Sequence, residues 1–136
     1  MPWQTPKTNL TASDYYNAGD LNRVENNIDF VRTYLVGLGY AIPSITTDVS
    51  RINESYDDLT SINRIEANLT LIKDNFVTPS TWQAGQTWTV TTPLTHNDAN
   101  RWESNISALY DLAQKVPQSF RYSGTFNSAQ EVLPQT

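Results

Sequence analysis

The most regularly spaced charged residues of this sequence belong to one repeated pattern, Asn-Arg-x-Glu-x-Asn followed by an aliphatic residue. The pattern occurs three times, about 40 residues apart, a period typical of stacked helical units. Its arginines and glutamates could form ion pairs or, through three carboxylates, bind a metal ion. The candidate residues are Asn22, Arg23, Glu25, Asn63, Arg64, Glu66, Asn100, Arg101 and Glu103.

Three glutamates on three helices resemble the carboxylates of di-iron helical proteins, but such sites also need Glu-x-x-His on two of the helices. The sequence has one histidine, His96, and the residue three positions before it is Pro93. His96 is predicted to lie at the start of a helix and to face solvent. We therefore expect no metal site and no cofactor.

Catalytic constellations are also missing from the sequence. There is no cysteine, and a single histidine cannot serve the many serines as a general base. No glycine-rich phosphate loop is present, and no pair of carboxylates is marked by its context as an acid and base. The sequence therefore predicts a protein that is not an enzyme and has no catalytic residues.

Aromatic residues offer a possible binding surface. Trp82 and Trp88 flank Gly85 symmetrically, and two indoles on one platform could stack on sugar rings or bind a protein. Alternatively, they could cover the open end of a helical bundle. The second interpretation is favoured because a bundle this short needs aromatic closure. Trp3 is predicted to anchor the N-terminal segment.

Hydrophobic residues recur at spacings of three and four around each copy of the motif, which predicts three related long helices. The first begins after Asn17 and ends at Gly37 and Gly39, the second runs from Asp58 or Thr60 towards Pro79, and the third runs from Thr95 to Pro117. Thr95 with Asp98 has the spacing of a helix cap. The aliphatic residues after the motif are predicted to be core: Ile28, Leu69 and Ile106.

The segments between these helices have other patterns. A short helix is predicted over 47–56, a β-hairpin over 80–93 and a strand over 120–126. The predicted fold is mainly α: a helical bundle built on three related long helices, with one short helix and a small β-hairpin/strand element. The predicted division is an extended N-terminal arm (1–16), the bundle with its hairpin insertion (17–117), and a C-terminal strand and polar tail (118–136).

A helical wheel places Val24 and Ile28 on the core face, Glu25 on its flank and Arg23 well away from the core. The motif is therefore predicted to form ion pairs or hydrogen bonds between neighbouring repeats, or from arginine to a helix end. Exposed pairs of this kind contribute about 0–1 kcal/mol each. They would therefore fix the relative alignment of the helices more than they would stabilise the fold. A surface for a partner protein is the alternative interpretation.

The overall charge limits the range of partners. Nine basic residues against fourteen acidic ones give a net charge of −5, which disfavours binding to nucleic acid or an anionic membrane. The sequence has no apolar run long enough to span a bilayer, and its N-terminus lacks the apolar region of a signal peptide. We expect a protein that is soluble as made and whose export, if any, would need another route, such as release in a particle.

Four stretches together resemble a family of small proteins from phages and prophages of Gram-positive bacteria, encoded among tail-tip, baseplate and fibre genes. The stretches are Trp3–Thr8, Asp14–Asn17, the motif copies beginning with Asp20–Arg23, and Arg121–Phe126. The resemblance covers nearly the whole chain. It implies a non-enzymatic structural module of a phage tail, baseplate or adsorption apparatus that mediates protein–protein assembly.

The same resemblance implies other tail or virion proteins, or further copies of the chain, as partners. The net charge leads us to expect no nucleic acid and no membrane. The implied location is the virion tail, with the host cytoplasm during assembly. The alternative function is a carbohydrate-binding adhesin module that contacts host surface polysaccharide through the aromatic hairpin. Exposed parallel indoles would favour the adhesin, and buried ones would favour assembly.

Overall fold

A computed structural model describes residues 2–13, 18–50, 59–89 and 94–123, with side chains up to residue 117. The protein is mainly helical, with three helices packed together: α1 (Ala18–Gly37), α2 (Leu59–Asn75) and α3 (His96–Ser123). Over these ranges there is no strand. No helix within them combines the length and hydrophobicity needed to cross a membrane.

The core is built from equivalent positions of the three repeats. Each helix contributes one side chain to each layer, and every side chain in the three central layers is at most 1% exposed. The layers are Val24, Ile65 and Trp102; Ile28, Leu69 and Ile106; and Val31, Ile72 and Leu109. The prediction that the aliphatic residue after each motif is core is therefore confirmed.

Extended segments, here called arms, precede the helices: arm 1 is 2–13, arm 2 is 40–50 and arm 3 is 77–89. Arm 1 runs opposite to α3, since its Lys7 N–H donates to Glu103 and its Leu10 N–H to Asn100. It also runs opposite to α1. There Gln4 pairs with Asn27, and Lys7 Nζ lies 3.5 Å from Asp20. Helices α1 and α3 are therefore parallel.

Arm 2 relates α1 to α2 in the same way. Along α1, the Ile42 carbonyl accepts from Arg32 and the Asp48 N–H donates to Glu25. Along α2, the Tyr40 ring contacts Phe76 and the Thr46 carbonyl accepts from Asn68. The arm runs opposite to both helices. All three helices are thus parallel, and their motifs lie at one level.

Two helix ends match the sequence prediction. Beyond α1, the Tyr40 N–H donates to Leu35 O and the Gly39 N–H to Val36 O, the two bonds of a Schellman motif. Gly39 has φ +106°, a conformation that favours glycine. At the start of α3, the Thr95 N–H donates to Asp98 Oδ2 at 3.0 Å, which confirms the predicted cap.

The predicted C-terminal strand is wrong, because residues 120–123 belong to α3; residues 124–126 lie outside the described ranges. Pro117 lies inside α3 and does not end it. A proline removes one N–H bond and its ring crowds the carbonyl four residues earlier, but its fixed φ is close to the helical value, so a helix can continue past it. The alternation from Phe120 onwards was therefore an insufficient strand signal.

The other two local predictions also differ from the structure. Residues 47–50 of the predicted short helix are not helical. Asp48 instead accepts hydrogen bonds from its neighbour Ser50. Residues 80–89 of the predicted hairpin form no strand, because arm 3 pairs with side chains of the helices rather than with itself. The remainder of each prediction, 51–56 and 90–93, lies outside the described residues.

Candidate functional site

The arginines of the repeated motif join the three helices. Each arginine donates two hydrogen bonds to the glutamate of another copy: Arg64 to Glu25, Arg101 to Glu66, and Arg23 to Glu103. Those of the first two pairs measure 2.6–2.8 Å. Because each helix gives its arginine to one neighbour and its glutamate to the other, the pairs close into a ring, here called the arginine–glutamate ring.

Most of the ring is buried, which the sequence analysis did not predict. Glu25 and Glu103 are 0% exposed, and the Arg23 side chain, expected to point away from the core, is only 11% exposed. The reason is that the arms lie over the helix flanks and cover them. Removing one partner of a buried pair costs about 3–5 kcal/mol because an uncompensated charge remains. The expected contribution of 0–1 kcal/mol therefore does not apply.

The pair Arg101–Glu66 has perturbed pKa values. Burial alone would raise the pKa of Glu66, but hydrogen bonds from Arg101 and Trp88 and the charge of Arg101 outweigh it and lower that pKa. Burial would likewise lower the pKa of Arg101, but Glu66 and Asp98 raise it. Both groups are therefore held in their charged forms at neutral pH, as a structural ion pair requires.

The last asparagine of each motif holds the arm that precedes its own helix. Asn27 accepts from Gln4 N–H at 2.9 Å and donates to Gln4 O at 2.7 Å. Asn105 pairs with Gln83 N–H and O at 3.0 and 2.8 Å, and Asn68 donates to an arm 2 carbonyl at 2.9 Å. We call such a carboxamide an asparagine clamp. It satisfies the polar main chain of an extended segment that has no strand partner.

Each glutamate of the ring also accepts a hydrogen bond from an arm. The donors are the main-chain N–H of Lys7 for Glu103, the main-chain N–H of Asp48 for Glu25, and the indole Nε1 of Trp88 for Glu66. Each arm is thus fixed at two points. One is an asparagine of the helix that follows the arm, and the other is a glutamate of a different helix, which is α3 for arm 1, α1 for arm 2 and α2 for arm 3. The three repeats are equivalent in this respect.

The tryptophans lie at different depths. Trp88 is 4% exposed and packs 6.1 Å from the Trp102 ring. Trp82 and Trp3 are half-buried against the core. Lys73 Nζ lies 5.7 Å from the Trp82 ring centre, and Trp3 contacts the Tyr110 ring at 4.3 Å. Trp82 and Trp88 therefore do not form a paired, open indole platform.

Gly85 brings arm 3 close to the ring. A Cβ atom at this position would lie 2.8 Å from Glu66 Oε1, an oxygen that already accepts a hydrogen bond from Arg101. A side chain here would therefore displace a carboxylate that is fixed by its partner. Glycine is needed for this close approach, not for an unusual φ angle.

A groove lies beside this contact, between α2 and arm 3. It is a shallow depression of about 650 Å³ that is largely open to solvent. One wall is arm 3 at 85–87, and the other is a face of α2 formed by Asn63, Glu66, Ala67, Thr70, Leu71 and Asp74. Its lining is mixed polar and apolar, which suits a polypeptide segment better than a small apolar ligand.

The described part of the chain contains no cluster of three or more histidine or acidic side chains placed to hold a metal ion. The glutamates of the motif pair with arginines instead of converging on one point. The sequence analysis singled out the ring residues but missed the clamps Asn27, Asn68 and Asn105. The signal was present, since asparagine recurs at that motif position, but its partners are main-chain groups that lie 22 or 23 residues away, outside the helices.

Comparison of the chain with protein-family models, with curated proteins and with solved structures finds no match.

Proposed function

We propose that the protein is a non-enzymatic structural module of a phage tail, baseplate or adsorption apparatus, and that it acts by protein–protein assembly. We further propose that its three packed helices form a closed bundle whose shape the arginine–glutamate ring maintains. The resemblance of its motif segments to tail-region proteins suggests the location. The contacts of the ring support a scaffold role.

The observation that carries the proposal is that the repeated charged residues bind one another. Catalytic or ligand-binding carboxylates usually face a cleft, whereas Glu25 and Glu103 are buried and bonded to Arg64 and Arg23. Glu66 borders the groove, but both of its oxygens are bonded to Arg101. Such a ring fixes the relative positions of three helices and three arms. A fixed shape is what a component of a large assembly needs.

The adhesin alternative depends on exposed, parallel indoles. Trp88 lies in the core with its Nε1 bonded to Glu66, and Trp82 is half-buried beside Lys73. These positions favour the assembly role. Saturable binding of host wall polysaccharide that is lost in Trp82→Ala, with an unchanged melting temperature, would instead support the adhesin.

The proposal is tested on purified particles from a lysate of cells that carry the gene. Quantitative mass spectrometry should find the chain in the particles in a fixed ratio to the tail proteins, and particles made without it should have incomplete tails or fail to adsorb. A chain that stays in the unassembled fraction, with intact and infectious particles in its absence, would contradict the proposal.

A further inference from the structure

Arm 1 binds α1 and α3 mainly through its main chain. The N–H and carbonyl of Gln4 pair with the Asn27 carboxamide at 2.9 and 2.7 Å. Those of Leu10 pair with the Asn100 carboxamide on α3 at 2.9 Å each. The surface that binds arm 1 is here called its seat, and it consists of Asn26, Asn27, Asn100, Glu103 and Tyr110.

Arm 1 has fewer buried side chains than the other two arms. None of residues 2–13 is buried, whereas Ile42 of arm 2 and Trp88 of arm 3 are each 4% exposed. Segments with few buried apolar contacts open most readily in a folded protein. Arm 1 should therefore leave the helices at a lower cost in free energy than arm 2 or arm 3.

The connections of arm 1 also differ from those of the other arms. Arm 2 lies between α1 and α2 in the chain, and arm 3 lies between α2 and α3, so each of them connects two helices. Among the three helices, arm 1 is connected along the chain to α1 alone. It can therefore leave its seat without any helix having to move.

We propose that arm 1 is exchanged between two copies of the chain, so that the arm of one copy occupies the seat of the other. The occupant of the seat is known, because arm 1 fills it in the structure and a second copy carries the same sequence. Each seat of an exchanged pair keeps the contacts that it has in a single chain. Exchange therefore costs little contact free energy and is favoured where copies lie close together.

This inference goes beyond the proposed function, since it names a partner and an interface that do not rest on where the protein assembles. One contact between two side chains makes it testable. The Trp3 ring lies 4.3 Å from the Tyr110 ring, and in an exchanged pair the two rings belong to different copies. Both side chains are half-buried, so truncating either one should leave the helices folded, which circular dichroism checks.

The test mixes two full-length variants at high concentration, with one of them isotopically labelled. Tyr110→Ala has an intact arm, and Trp3→Ala has an intact seat. Only a mixed dimer can restore the ring contact, because the arm of the first variant then reaches the seat of the second. Native mass spectrometry separates the dimers by mass, and the mixed dimer should exceed the share expected from random pairing by about five- to tenfold.

A control and a second pair of variants accompany this mixture. Thr5 is an exposed residue of arm 1, so Thr5→Ala mixed with Tyr110→Ala should pair at random. Leu10→Pro removes the N–H that donates to Asn100. Its mixture with Asn100→Ala should be enriched in mixed dimers by about fivefold, because the clamp is restored in one of the two seats. This second pair keeps the test decisive if a variant of the first pair does not fold.

The proposal is overturned if the parent stays monomeric at every concentration reached. It is also overturned if the matched variants pair at random, as Thr5→Ala does with Tyr110→Ala, since the dimer would then use a surface other than the seat. Neither outcome bears on whether the chain is found in particles. The two proposals can therefore fail separately.

Discussion

Arm 1 and arm 3 share one contact with the helices and differ in another. Each contains a Trp-Gln pair, at Trp3-Gln4 and Trp82-Gln83. In each, the tryptophan is half-buried against the core, and the glutamine main chain is held by an asparagine clamp. In this part of each arm, the two arms therefore make the same contacts with the helices.

The arms differ at the glutamate that each one reaches. Arm 1 donates the main-chain N–H of Lys7 to Glu103, while arm 3 donates the indole of Trp88 to Glu66. Any residue except proline can supply a main-chain N–H, but only a tryptophan can supply an indole. Equivalent places in the ring thus depend on sequence to very different degrees.

The largest effect should come from the core layer that all three repeats share. Ile28→Asp, Leu69→Asp and Ile106→Asp should each abolish folding, since a buried unpaired carboxylate costs several kcal/mol. Circular dichroism and thermal melts measure this. Val36→Asp is the matched control, because Val36 is exposed, and it should melt within a few degrees of the parent. If one core variant has the melting temperature of the control, the three repeats are not equivalent in the core.

The next effect separates the two arms. Trp88→Ala should destabilise by about 3–5 kcal/mol, the range for deleting a core aromatic, and it also removes the indole donor to Glu66. Lys7→Ala should cost less than about 1 kcal/mol, because the bond to Glu103 uses the main chain and the Lys7 side chain is 57% exposed. Urea unfolding of both variants gives the comparison. Equal losses of unfolding free energy in the two variants would mean that the bond of arm 3 to the ring depends on its side chain no more than the bond of arm 1 does.

A smaller effect is expected at the close approach of arm 3. Gly85→Ala should destabilise by about 1–3 kcal/mol, because its Cβ would press on Glu66 Oε1. Gly37→Ala is the control: a Cβ there would have no neighbour within 4 Å, and replacing a helical glycine should be neutral or stabilising by up to about 1 kcal/mol. A Gly85→Ala variant as stable as Gly37→Ala would show that arm 3 does not rest against the ring.

The smallest effect is in the pH dependence of stability. The pKa of Glu66 is lowered in the folded protein, so its contribution is fully present above the unfolded value near 4.5 and is lost as pH falls through the lower folded value. The difference in unfolding free energy between parent and Glu66→Gln should therefore be largest at neutral pH and shrink below pH 4.5. A constant difference between pH 7 and pH 3.5 would show that the Glu66 charge contributes nothing.

The core could be predicted from the sequence because burial follows the periodicity of residues such as Ile28 and Leu69. The burial of Glu25 could not, since a helical wheel places it on a flank and does not include the arm that covers that flank. The alternation around Trp82 and Trp88 was interpreted as a hairpin. It reflects an extended arm whose tryptophans pack against the helices, a period-2 pattern that needs no strand partner. Clamps such as Asn105 need three-dimensional information, because any extended residue can be their partner.

The central claim is that the repeats close through matched arginine–glutamate pairs, and a double-mutant cycle tests it most directly. Unfolding free energies are measured in urea for Arg64→Met, Glu25→Gln and the double variant, and for the mismatched combination of Arg64→Met with Glu103→Gln. The ring predicts a coupling of about 1–3 kcal/mol for Arg64 with Glu25 and additivity within about 0.5 kcal/mol for Arg64 with Glu103. Additivity in the matched cycle, or equal coupling in both cycles, would contradict it.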